Sequence, residues 1–422
     1  MDREADAAST TLEASPQIEP KQSIRASRRP IRLLTFTTLF PHQGRPNHGV
    51  FVENRLRHLL ASGEATSTVI APVPWFPCSS PRFGDWGKNA KAGRLEHRNG
   101  IVVHHPRYPL LPRIGMSTAP AALFAAGARE FRRLKASGQD FDVIDGHYIY
   151  PDGVAAVALG RAFKKPVVLT ARGSDITQFP AFRWPGRMIG WAMQNSAALI
   201  SVSAGLKSAM VELGAPDRKV TVLRNGVDLA QFRPTNPRPA WEEWGVSEKI
   251  ILSVGHLIDR KRHNLIIEAL PFLPGWTLVL IGDGLARQKL ERLATEIGVR
   301  SRVIFGGQKP HAALATFYSA ADIFVLASSR EGWANVLLEA MACGTPVVAS
   351  NIPGNPEVVT DIAAGLIVAE NTPICFAETI MRLATLRKSR SATRAYAENY
   401  DWNSTTNGQL AIFREVLERV TA

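Results

Sequence analysis

Two carboxylates, Glu331 and Glu339, stand eight positions apart in the run SSREGWANVLLEAMACGTPVVAS, which spans Ser328 to Ser350. An apolar helical pattern (Val336, Leu337, Leu338, Ala340, Met341) lies between and after them. It stops at Gly344-Thr345-Pro346, the Gly-then-Pro signal of a helix end. The spacing predicts a helix starting near Trp333-Ala334-Asn335, with Glu331 just outside its N-terminus and Glu339 about one turn inside. A helix N-terminus presents unpaired N–H groups and partial positive charge, a seat for phosphate. A carboxylate one turn further on can accept hydrogen bonds from ribose hydroxyls, as acidic residues do in dinucleotide sites. That pairing points to nucleotide chemistry. An ordinary buried helix with two solvated glutamates is the plainer reading, and the matched Gly, Pro and apolar flanks weigh against it.

Four more places carry groups that could serve such chemistry. Ser253-Val254-Gly255-His256-Leu257-Ile258-Asp259-Arg260-Lys261 is a strand, a Gly turn and a basic pair. Taken alone, such a basic turn reads as solvated surface. His147 follows a predicted strand in Asp142-Val143-Ile144-Asp145-Gly146-His147, which places it just beyond the strand end, facing a cleft. Arg172-Gly173-Ser174-Asp175 is either an Asp-capped turn before a helix or a contact for an acceptor or phosphate. Gly49, in Pro46-Asn47-His48-Gly49-Val50, lets backbone approach a phosphate or sugar closely before a helix. Gly282 and Gly307 close two further strands. The Gly282-Asp283-Gly284 turn is a poor dinucleotide fingerprint, because Arg287 stands where a third Gly is needed.

The elements that must hold these groups alternate. In the first half, strands are expected at Arg32–Thr37, Ser67–Ala71, Gly100–His105, Phe141–Ile144, Pro166–Thr170, Ala198–Val202 and Val220–Leu223. Helices are expected at Val52–Ala61, Ala119–Ala136, Gly153–Phe163, Arg187–Ser196 and Ala204–Leu213. The Pro-rich Arg233–Pro239 segment reads as an interdomain linker. Strands then resume at Ile250–Val254, Thr277–Ile281, Arg302–Phe305, Ile323–Leu326 and Val347–Ala349. Helices Asn264–Leu273, Arg287–Glu296, Leu314–Ala320 and Cys375–Lys388 lie among and after them. Such alternation implies α/β domains with doubly wound parallel sheets, whose ligands lie at the carboxyl ends of the strands.

At 422 residues the chain can bury two cores. No apolar run reaches a membrane span of roughly 18–20 residues, and the first residues have no apolar core of a secretory signal. Three separated cysteines, Cys78, Cys343 and Cys375, form no metal or redox pair, so a reduced cytoplasmic compartment is expected. The formal net charge of +13 is uneven. Residues 31–235 hold 26 Lys/Arg against 13 Asp/Glu, whereas residues 236–422 hold 19 of each. A basic half beside a neutral one suggests an anionic partner: phospholipid, lipid pyrophosphate or nucleic acid. Nucleic acid is disfavoured because clustered basic-aromatic modules are lacking. The Trp184/Arg187/Trp191 stretch is a candidate for contact with an anionic membrane.

From about Ile31 to Trp402 the order of these motifs closely resembles that of retaining glycosyltransferases of family 4. The resemblance implies the GT-B architecture: two Rossmann-like doubly wound domains facing a central cleft. Residues 1–29 are then a disordered tail, 30–232 an acceptor-side domain and 240–395 a nucleotide-sugar domain. Residues 396–422 form a helix that crosses back to the first domain. It implies sugar transfer with retention from a nucleotide diphosphate sugar to a glycan or polyprenyl-pyrophosphate-linked acceptor, in cell-surface polysaccharide synthesis at the inner face of a membrane. No metal or other cofactor is obligatory, because Lys and Arg can balance the diphosphate.

By the same resemblance Glu331 bonds the donor sugar and Glu339 the ribose. Lys261 and Arg260 neutralise the diphosphate, and His147 helps polarise the reacting centre. Gly49, Gly255, His256, Gly282, Gly307, Trp333, Ala334, Asn335 and Val336 line the donor, and Arg172 and Asp175 the acceptor side. The family has Arg where His256 stands, so Arg260 or His256 supplies that charge. It has His where Asp145 and Arg172 stand. A nucleotide-sugar epimerase or hydrolase of similar fold is the alternative.

Overall fold

The structure, a computed structural model, describes residues 29–110, 115–386 and 389–421. The tail expected over residues 1–29 therefore lies outside the described residues, except for Arg29, which pairs with Asp142 at 2.9 Å.

The central strands are short apolar runs buried on both sides, because helices cover both faces of each sheet. The first sheet has eight strands: β1 (Ile31–Phe36), β2 (Ala65–Ile70), β3 (Leu95–Arg98), β4 (Ile101–His104), β5 (Val143–His147), β6 (Val167–Ala171), β7 (Ala198–Ser201) and β8 (Val220–Val222). Their order is β8-β7-β6-β5-β1-β2-β4-β3. Every pairing is parallel except β3 with β4. The second sheet holds β9 (Ile250–Val254), β10 (Thr277–Ile281), β11 (Val303–Gly307), β12 (Ile323–Leu326), β13 (Val347–Ala349) and β14 (Gly365–Ile367). It is wholly parallel in the order β11-β10-β9-β12-β13-β14.

Within the second sheet that order is third, second, first, fourth, fifth, sixth, the arrangement of nucleotide-binding sheets. The direction reverses between β9 and β12, where the loops leaving two adjacent strands must diverge and open a crevice. The loop after β9 carries Gly255 to Lys261, and the loop after β12 carries Glu331 and Trp333. The first sheet reverses likewise between β1 and β5.

Strands β9, β10, β12 and β13 match the expected ranges residue for residue. The antiparallel β3–β4 hairpin was not expected, although its signal is plain. Asn99 and Gly100 take left-handed φ of 49° and 79°, the two-residue turn that suits twisted strands. Strand β5 runs further than the expected Phe141–Ile144, which takes His147 into the strand itself. The linker is shorter than expected, because a helix begins at Arg238 with Pro239 in its first turn, where no N–H is needed.

The chain crosses between lobes twice. Helix Arg390–Glu398 stays with the second lobe, where the Arg390 guanidinium bonds the carbonyls of Ser319 and Ala321, both at 2.8 Å. Helix Trp402–Thr421 then returns to the first lobe. Its Leu410, Phe413 and Val416 pack with Leu33, Val52 and Leu56. The two crossings run side by side, with the Val227 amide donating to the Tyr400 carbonyl at 2.8 Å.

Candidate functional site

At the second-lobe reversal, Lys261 Nζ lies 2.7 Å from Glu331 Oε1, and Arg260 Nη1 lies 3.2 Å from Glu331 Oε2. Arg260 also donates to the Arg330 carbonyl at 3.1 Å. Burial pushes the Glu331 carboxyl up, but the two adjacent cations outweigh it and hold it below its usual range. Two cations and one carboxylate therefore leave one net positive charge in the crevice, which suits an anionic ligand. His256 is exposed at the loop tip. Of the two candidates for the missing Arg, Arg260 is the one placed against Glu331.

Helix Asn335–Ala342 begins where the spacing predicts, with Ala334 at its cap. Trp333 is buried, and its indole N–H donates to the Asn225 carbonyl at 3.1 Å. One turn into the helix, Glu339 accepts from Tyr318 at 2.9 Å and contacts His311 Nε2 at 3.1 Å. Val336 is half-buried beside it. Gly255, Gly282 and Gly307 end the strands around this crevice. Only glycine fits at Gly282, where φ is 143° and an added Cβ would sit 1.9 Å from the Gly255 carbonyl oxygen.

The first lobe faces this crevice with a connected polar core. His147 ends β5 with 1% of its surface exposed. Its Nε2 is 3.1 Å from Asp145 Oδ2, and its Nδ1 is 2.7 Å from Arg172 Nη2. Arg172 can only donate, so Nδ1 is an acceptor and the proton sits on Nε2, facing Asp145. The Arg172 contact makes the ring neutral, and burial lowers its pKa. Arg172 also donates to Asn225 at 3.3 Å and covers the Phe51 ring at 5.4 Å. Burial brings its pKa down to about 9. Asn225 also accepts from Arg55, which donates to Gln409 of the returning helix at 3.0 Å. Asn225 Nδ2 then donates to Asn335 Oδ1 at 3.2 Å, so the network ends on the second-lobe helix.

At the first-lobe reversal, Asp152 accepts from the Thr38 amide at 2.7 Å and from the Thr37 and Thr38 hydroxyls. Burial pushes its carboxyl up to about 7 against those three bonds. Gly49 caps helix Val50–Ala61. His48 beside it bonds the Thr38 carbonyl at 3.1 Å. Burial first, then the neighbouring Arg45, bring its pKa down to about 4.

Two expectations are corrected. His147 does not lie beyond the strand end: it is the last residue of β5, buried, with its ring nitrogens on Asp145 and Arg172. Asp175 is not open to an acceptor either. It is fully buried and accepts from the backbone amides of Ile149, Arg172 and Gly173, which folds the loop. The Arg172 side chain, not Asp175, is the polar group of that loop that turns toward the interlobe network.

Sequence reasoning did not anticipate His311, Tyr318, Asn225 or Glu357. Glu357 accepts from the amides of Ala204 and Gly205 at 2.8 and 2.9 Å and from Arg224 at 2.9 Å, which joins the lobes. The Asn225-Gly226 loop was visible as a motif before the linker, but the partners of Asn225 lie 53 to 170 residues away in sequence. Local spacing carries no signal for them. Among the described residues no group of three His, Cys, Asp or Glu side chains is placed to hold a metal.

Comparison with known proteins covers both lobes. Residues 50–231 match the family described as Glycosyltransferase Family 4, and residues 240–400 match Glycosyl transferases group 1. The D-inositol 3-phosphate glycosyltransferases of Mycobacterium tuberculosis (strain ATCC 25618 / H37Rv) and Mycobacterium bovis (strain ATCC BAA-935 / AF2122/97) are 30% identical over 321 residues. The match covers 71% of this chain and 66% of each of them. Among solved structures, sucrose-phosphate synthase from Thermosynechococcus elongatus superposes with a TM-score of 0.74 at 19% identity, covering 93% of this chain and 100% of that one. Anabaena Alr3699/HepE in complex with UDP and glucose gives 0.67 at 18% identity, covering 93% and 99%.

Proposed function

The chain belongs to the family 4 glycosyltransferases of the GT-B fold, and from that membership we propose that it transfers a sugar, with retention at the anomeric carbon, from a nucleoside diphosphate sugar to a glycan or lipid-linked acceptor. The observation that carries this reading is the Lys261–Glu331–Arg260 group at the strand-order reversal, with Glu339 one turn into the helix that follows it. The diphosphate lies against the two cations, whose remaining N–H groups are directed at charge that grows as the glycosidic bond breaks. Glu339 takes the ribose hydroxyls on its remaining lone pairs, and Glu331 bonds the donor sugar. The leaving phosphate itself helps deprotonate the acceptor hydroxyl. His147, neutral and locked, shapes the floor of the first lobe.

The test is nucleoside diphosphate release from a panel of nucleotide sugars, with and without glycan or prenyl-linked acceptors. Acceptor-dependent release with a retained anomeric configuration is expected, and it should persist in chelator. Equal release from donor alone would instead indicate an epimerase or hydrolase.

The acceptor side supports a membrane-bound substrate. On helix Arg183–Asn195, Trp184 is 58% exposed and Phe182 just before it is 49% exposed. Arg183 and Arg187 stack on Trp184. Trp191, by contrast, packs against the core. Residues 176–211 contain no Asp or Glu, so nothing on this stretch repels an anionic surface, where each Arg contributes about 1 kcal/mol. At low salt the protein is expected to float with vesicles containing phosphatidylglycerol and not with pure phosphatidylcholine. A Phe182→Ser/Trp184→Ser variant should lose most of that binding; undiminished flotation would remove this surface from the reading.

A further inference from the structure

We infer that His311 is a positioning residue that orients the Glu339 carboxylate for a ribose diol. The inference rests on the reading that Glu339 holds the donor ribose. A glutamate on a helix has several rotamers, and freezing it in one costs side-chain entropy. Here two fixed donors have already done so. Tyr318 takes one lone pair of Oε2 at 2.9 Å, and His311 Nε2 approaches Oε1 at 3.1 Å. An ionised carboxylate has about four acceptor positions, so these two leave two, the number a pair of adjacent hydroxyls requires.

His311 is itself held. The Gln231 side-chain amide donates to His311 Nδ1 at 3.1 Å, which puts the ring proton on Nε2, toward Glu339. The same amide reaches the His311 carbonyl at 3.4 Å, and Phe232 meets the ring edge-on at 5.1 Å. Burial pulls the imidazole pKa down, but the hydrogen bond and charge of Glu339 outweigh it and raise it overall. Gln231 and Phe232 directly precede the segment that joins the lobes. Nothing in the E-x7-E spacing marks His311, which lies 28 residues before Glu339.

The test compares Glu339→Gln, His311→Ala, His311→Asn and His311→Gln in the full chain. UDP and GDP are titrated by calorimetry to choose the nucleotide that wild type prefers, and its 2′,3′-dideoxy form is then titrated in parallel. His311→Ala and His311→Asn are expected to weaken ribonucleotide binding about tenfold and to raise the donor KM with kcat little changed, the scale of one hydrogen bond to a charged group. His311→Gln is expected to restore most of that loss. Its amide reaches the place of Nε2, whereas the Asn amide reaches only that of Nδ1. For the dideoxy nucleotide all three should bind like wild type.

An equal loss with ribo and dideoxy forms, or no difference between Asn and Gln, would show that His311 merely supports the fold and overturn the inference. A binding loss in Glu339→Gln with none in His311→Ala would overturn it while leaving the ribose reading intact. Unchanged binding in Glu339→Gln would overturn both.

Discussion

Replacing Lys261 by alanine is expected to lower kcat for sugar transfer by about 10²–10³, the cost of removing one preorganised donor from developing negative charge. The Lys261 side chain is only 12% exposed, and its Nζ lies 2.7 Å from Glu331, at the point where β9 and β12 diverge. Water cannot easily take its place there. The same contact offers a simpler account, in which Lys261 serves only to neutralise Glu331. The Lys261→Ala/Glu331→Gln double variant separates the two. If neutralisation were the whole role, the double variant would turn over as fast as Glu331→Gln alone. If Lys261 acts on the leaving diphosphate, the double variant should be no faster than Lys261→Ala alone.

The single variant should also leave a signature in pH. Glu331 is held below its usual range because Lys261 and Arg260 together outweigh burial. Without Lys261 its pKa must rise, so the acid limb of the rate profile should move to higher pH. An unmoved acid limb together with wild-type turnover would remove Lys261 from the site.

Much of the fold is legible in single-strand stretches. Strands such as Ile250–Val254 and Ile323–Leu326 read as short apolar runs bounded by Gly or charged residues, because both faces are buried and no alternation is needed. The two glutamates and the basic pair could be found for the same reason: each sits at a fixed offset from a strand end or a helix start. What spacing cannot give is the partner. Lys261 and Glu331 are 70 residues apart, and Arg55 and Gln409 are 354 apart. Their contact depends on strand order, which is set by packing across the whole sheet. His147 shows the reverse failure. Extending β5 by three residues turned an expected cleft residue into a buried one, because hydrogen bonds to β6 continue through His147 opposite Thr170. Asp175 has the sequence appearance of both a ligand and a loop organiser, and only the three amides aimed at it decide which.

Gly332→Ala is expected to reduce acceptor-dependent transfer by about 10² or more while nucleotide binding and thermal stability change little. In the structure the lobes touch through backbone at this residue. A Cβ on Gly332 would stand 2.0 Å from the Arg172 carbonyl oxygen and 3.0 Å from the Gly173 Cα. Neither obstacle is a side chain that could rotate away, so relief requires the lobes or their loops to separate. Separation would pull Asn335 away from Asn225 and the amides of Ala204 and Gly205 away from Glu357. It would also carry the acceptor side off the donor, where a displacement of about 1 Å is enough to cost 10² in rate. The core of each lobe is untouched, which is why binding of nucleoside diphosphate alone should survive. Gly190→Ala is the control, since nothing lies within 4 Å of a Cβ at that position. Wild-type transfer by Gly332→Ala would mean that catalysis does not pass through this contact between the lobes.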